Sequence, residues 1–130
     1  MSQPISSSIS DDAEYPAFCE LAANTEFIFN SFRRHPVYTS VVETVSKKHG
    51  RDYLRMALRQ TPFIRKYLGR FATSDEIGGP WLFAYREIFR QPWLFSPTTQ
   101  RYIKVLSDLI HFFGSLDGLN IVEIGGGYGG

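Results

Sequence analysis

Apolar positions in this chain recur mostly at helical spacing, three to four residues apart, and turn residues divide them into short segments. The pattern starts at Asn24. Asn24 or Thr25 caps a helix containing Phe27, Ile28 and Phe32, and His35-Pro36 breaks it. A second helix carries the stripe Val37, Val41, Val42 and Val45. It places Lys47 and Lys48 in its last turn, where cations suit the helix dipole, and closes at Gly50. Residues 51–60 read as a third helix on Tyr53, Leu54, Ala57 and Leu58, and Thr61-Pro62 opens a fourth through Phe63, Ile64, Tyr67, Leu68 and Phe71. Residues 73–80 form a loop by composition. In the stretch after it, Trp81, Phe83 and Tyr85 alternate as in a strand, whereas Tyr85, Ile88 and Phe89 have helical spacing; periodicity leaves both open. The clearest helix spans 96–113. Ser96 is its N-cap, Pro97 its first residue and Gly114 its closing glycine, and Tyr102, Ile103, Leu106, Leu109, Ile110 and Phe113 form its stripe. A turn at 116–119 leads to a strand expected from about Asn120.

This pattern divides the chain into a mobile polar tail over 1–23, Ser-rich up to about residue 12, a helical region over 24–118, and a strand with a glycine-rich loop over 119–130. A single terminal strand is incomplete, because a parallel sheet needs neighbours reached by crossover helices. The expectation is therefore an N-terminal piece of a longer protein: mostly α here, leading into the first strand and loop of a Rossmann-like α/β domain.

Composition narrows the partners. Net charge is +1 across 130 residues, which gives no electrostatic footprint for nucleic acid or an anionic membrane. Cys19 is the only cysteine, so no intrachain disulfide forms. No apolar run approaches the roughly 20 residues of a membrane span, and the N-terminus lacks the layout of a signal peptide. A cytoplasmic protein is expected. Eleven Phe, seven Tyr and two Trp make the chain aromatic-rich, with much of that content between Trp81 and Phe95.

The densest chemical signal is Asn120-Ile-Val-Glu-Ile-Gly-Gly-Gly-Tyr-Gly-Gly130. Gly125, Gly127 and Gly130 satisfy the dinucleotide pattern G-x-G-x-x-G. Glu123 with Gly125, Gly127 and Gly129 satisfies E-x-G-x-G-x-G. The acid separates the two. A dinucleotide loop delivers a pyrophosphate to a helix N-terminus, and Glu123 opposes that anion. S-adenosylmethionine has no phosphate and carries a sulfonium and an ammonium, which a carboxylate attracts. The alternatives are a nicotinamide-dependent oxidoreductase, a non-enzymatic helical interaction module spanning 24–113, or a glycine-rich linker.

Three segments together resemble the family of bacterial sugar O-methyltransferases, class I S-adenosylmethionine-dependent enzymes. They are Ser74-Asp-Glu-Ile-Gly-Gly-Pro80, Ser96-Pro-Thr-Thr-Gln-Arg-Tyr-Ile103 and Ile121 to Gly130, within a likeness covering residues 24–130. The family's loop typically carries another residue at Gly79. The resemblance implies methyl transfer from S-adenosylmethionine to a sugar hydroxyl in polysaccharide or glycoconjugate synthesis, with Glu123, Gly125, Gly127, Tyr128 and Gly129 at the cofactor. It also implies that the second ribose-binding acid and the catalytic residues lie beyond Gly130.

Beyond that loop the candidates are few. Asp75 and Glu76 suit sugar hydroxyls, because carboxylates accept from diols; alternatively Asp75 caps the following turn. Arg101, with Tyr102 beside it, suits a phosphate of a nucleotide-linked sugar, or pairs with Asp108 or another acid. Trp81, Tyr85 and Trp93 suit a pyranose face or the core. His35 and His49 read as capping or surface residues and His111 as solvated, so no base is assigned. A divalent metal would help acidify a sugar hydroxyl, but no residue group here has metal-ligand spacing.

Overall fold

The computed structural model describes residues 13–86 and 92–125. The fold is mostly helical: α1 (Glu14–Asn24), α2 (Glu26–Phe29), a 3-10 turn (Phe32–Arg34), α3 (Pro36–Thr39), α4 (Lys47–Gln60), a 3-10 segment (Pro62–Tyr67), α5 (Leu68–Ser74), and α6 (Pro97–Phe113). Between α5 and α6 lie β1 (Phe83–Ala84) and β2 (Leu94–Phe95), paired antiparallel with Phe83 opposite Phe95 and Ala84 opposite Leu94. The strand alternative for residues from 81 is thus met at 83–84, while Ile88 and Phe89 lie outside the described residues.

The helix from Ser96 is as the caps dictate. Ser96 Oγ accepts from the Thr99 N–H at 3.1 Å, Pro97 occupies the first turn, and Gly114 closes the helix at φ 74°. Three other expectations are corrected. Residues 14–24 form α1, and they bury Phe18 and Ala22, so the tail does not extend to residue 23. The helix placed on Val37–Val45 shrinks to the single turn α3, because Val41 and Val42 already turn away and 43–46 run without regular structure. Ser46 then caps a new helix, accepting from His49 N–H at 3.2 Å. Lys47 and Lys48 therefore open α4, and Gly50 lies inside it. The reason is tertiary. A Cβ at Gly50 would come within 2.8 Å of Pro97 Cα and would also meet the Gln100 side chain, so glycine lets α4 lie against the start of α6.

Two apolar clusters hold the chain together. The larger joins Leu54, Ala57 and Leu58 of α4 to Ile64, Leu68, Tyr85, Phe95 and Ile103, with Trp93, Tyr67, Phe71 and Leu106 against it. The smaller joins Phe18 and Ala22 to Phe32 and Tyr38. Phe32 meets Tyr38 edge-on, with ring centroids 4.8 Å apart. Along the α4–α6 contact the seam is partly polar. Thr61 Oγ1 and Ser107 Oγ lie 2.8 Å apart, and Gln60 Nε2 donates to Asp108 Oδ1 at 2.8 Å. Among the described residues no helix is long and apolar enough to cross a membrane.

Candidate functional site

The polar centre of the molecule is built around Arg33, a residue that sequence reasoning passed over. Its side chain is fully buried. Nε donates to Glu43 Oε1 at 2.5 Å, one terminal nitrogen donates to the Ser74 carbonyl and pairs with Asp75 Oδ1, each at 3.1 Å, and the other donates to Ser96 Oγ at 3.1 Å. Asp75 is buried in turn. Its Oδ2 accepts from the Ser96 N–H and its Oδ1 from Thr99 Oγ1, both at 2.7 Å. Ser96 Oγ donates to Thr99 Oγ1 at 3.1 Å, which closes the circuit. Burying three charges is unfavourable unless each is paired and hydrogen-bonded, and here each is.

This circuit ties together two of the segments on which the family resemblance was drawn. Ser74–Pro80 wraps Arg33: the Arg33 N–H donates to the Gly78 carbonyl at 3.0 Å. Gly78 and Gly79 have φ of 72° and 56°, and a Cβ at Gly78 would strike the Phe32 ring while one at Gly79 would lie 2.5 Å from the Asn30 carbonyl. Ser96–Gln100 forms the buried start of α6. Asp75 therefore holds an ion pair and the N-terminus of α6, rather than offering its oxygens to a sugar, and the turn it was expected to cap is replaced by that helix start. Glu76 is exposed.

The other candidates fall elsewhere. Arg101 follows Thr99 by two positions, on the opposite side of α6, with its guanidinium 5.5 Å from the centroid of the Tyr102 ring. Asp108 takes Lys104 and Gln60 as partners, so the pair proposed between Arg101 and Asp108 does not form. The hydrogen bond from Lys104, then that from Gln60, holds the Asp108 carboxyl below the usual carboxylate range. Tyr85 is fully buried, and Trp93 stacks on Phe95 with centroids 5.8 Å apart, so these two serve the core. Trp81 is 62% exposed, with the Arg34 guanidinium 4.4 Å above its ring. His35 accepts from the Val37 N–H at 3.3 Å and stacks on Phe18, while His49 and His111 are exposed. Among the described residues no cluster of His, Cys, Asp or Glu could hold a metal ion.

Of the cofactor candidates, Glu123 and Gly125 are exposed, and Gly127, Tyr128 and Gly129 lie outside the described residues. Residues 119–125 form no strand: Ile121, Val122 and Ile124 are 61%, 85% and 96% exposed. Among the described residues no neighbouring strand covers their apolar side chains or pairs their backbone. A concavity lies nearby. It is a groove of about 620 Å³ between the 3-10 segment, α5 and the end of α6, lined by Phe63, Lys66, Tyr67, Arg70 and Phe71 and rimmed by Gly114–Asp117. Comparison with protein-family models, curated proteins and solved structures finds no match to the chain.

Proposed function

We propose that the chain is the N-terminal part of an S-adenosylmethionine-dependent O-methyltransferase acting on a sugar hydroxyl. One observation carries this: an acid, Glu123, stands two residues before Gly125 in a run with five glycines in six residues. A carboxylate there favours a sulfonium or ammonium over a pyrophosphate. In such an enzyme the glycines let main-chain atoms approach the cofactor, and Glu123 accepts hydrogen bonds from it. The helices α1 to α6 lead the chain to the segment assigned to the cofactor. Transfer itself is an in-line displacement at the sulfonium methyl, requiring alignment of acceptor oxygen, methyl and sulfur and removal of the hydroxyl proton.

Calorimetric titration of the full-length protein with S-adenosylmethionine and, separately, with NAD tests the proposal. Binding of S-adenosylmethionine that is weakened by Glu123→Gln is expected. Binding of NAD alone would replace the proposal with an oxidoreductase.

A further inference from the structure

Lys66 and Arg70 stand four residues apart, both exposed, and both line the groove beside α6. Asp117, at the rim, is the one acid among the lining residues. The lysine ammonium sits over aromatic rings, 4.8 Å from the Tyr67 centroid and 5.6 Å from that of Phe63. The groove thus combines two cations with the aromatic side chains of Phe63, Tyr67 and Phe71 and the apolar Leu106 and Ile110, and Ser115 and Asp117 add a hydroxyl and a carboxylate at its edge. Its volume of about 620 Å³ lies within the range of small-molecule sites, roughly 300–1,000 Å³.

Aromatic faces with adjacent cations match a sugar that carries phosphate. The ring faces take the apolar side of a pyranose, the cations take the phosphate oxygens, and the polar rim takes hydroxyls. The position of the groove also fits. Asp117 and Glu123 are six positions apart, so the cofactor segment lies within ~20 Å of the rim even if fully extended. We infer that this groove, rather than Asp75, Arg101 and Tyr102, is the acceptor site, and that it binds a phosphorylated sugar, free or nucleotide-linked. The inference rests on the methyltransferase proposal for the word acceptor, whereas binding itself does not depend on it.

The test is a nitrogen-15 NMR titration of the 130-residue chain with glucose 1-phosphate and with UDP-glucose, using inorganic phosphate and methyl glucoside as half-ligands. Amide shifts at 63–74 and 114–117 are expected, with each half-ligand about tenfold weaker than the linked molecule. The double variant Lys66→Gln/Arg70→Gln should lose about tenfold in affinity. Its melting curve should be unchanged, since both side chains are exposed. Tighter binding of UDP-glucose than of glucose 1-phosphate identifies the nucleotide-linked form, and equal binding identifies the free sugar phosphate. Absence of shifts in the groove at millimolar ligand, or undiminished binding by the double variant, overturns the inference. A failed S-adenosylmethionine titration with intact groove binding would remove the methyltransferase proposal and leave the sugar-phosphate site standing.

Discussion

Arg33 and Asp75 are coupled through geometry that admits few substitutes. Arg33 spends its donors on Glu43, Asp75, Ser96 and the Ser74 carbonyl, and nothing but a planar fork reaches them all. Replacing it by methionine leaves Glu43 and Asp75 at the centre without their cation. Arg33→Met should therefore lose about 3–5 kcal/mol, measured by urea denaturation. A loss below about 1 kcal/mol would show the network to be dispensable. Asp108 offers a milder case. Its carboxyl is held below the usual range by Lys104 and Gln60, so its contribution is present above the usual carboxylate pKa and fades as pH falls through the lowered one. Asp108→Asn should thus melt slightly lower than the parent at pH 7, with the gap closing towards pH 3. The side chain is 44% exposed, so solvent screening keeps the effect small.

At the scale of elements, the close approach of α4 and α6 hinges on Gly50. Gly50→Ala ought to raise helix propensity, yet its methyl would press on Pro97 and Gln100. The net expectation is a loss of about 1–3 kcal/mol, read from thermal or denaturant melts, and a gain would refute the packing argument. The same contact explains which elements the sequence made legible. The helix α6 was readable because its signals are local: a serine cap, a proline at the first turn and a closing glycine. The start of α4 was not, because Lys47, Lys48 and Gly50 carry the local signature of a helix end. The Ser46 cap starts the helix ahead of that glycine, and the close packing against Pro97 requires glycine there. Periodicity placed Ile103 and Leu106 on the inner face of α6 but missed the polar part of that face. Thr99, Gln100, Ile103 and Ser107 are buried, while Phe113 is 65% exposed. Apolar spacing has no means of finding Thr99 and Ser107, which are buried because Asp75 and Thr61 are there to meet them.

For the whole molecule, the helical body and the terminal segment behave differently. The body closes two apolar clusters around the Arg33 circuit. The segment from Leu119 leaves its apolar side chains in solvent and pairs no strand among the described residues. Transfer needs groups held in place around the cofactor, and no strand among the described residues pairs with 119–125, so the 130-residue chain should show no methyl transfer from labelled S-adenosylmethionine to any sugar acceptor. Detectable transfer by the purified chain would contradict this.

The sequence alone determined the helical class, the limits of α6, and the acid-plus-glycine signature at 123–130, because each depends on neighbours within one or two helical turns. The two-residue hairpin, the reassignment of 47–50 to a helix start and the burial of Asp75 were decided by tertiary structure. Each depends on partners 12 or more residues away, which no local pattern encodes: Phe83 with Phe95 is 12 apart, Asp75 with Ser96 is 21, and Gly50 with Pro97 is 47. The pairing of charges decided the last of these. A carboxylate read as a ligand for sugar became a structural counter-ion once Arg33 was folded against it.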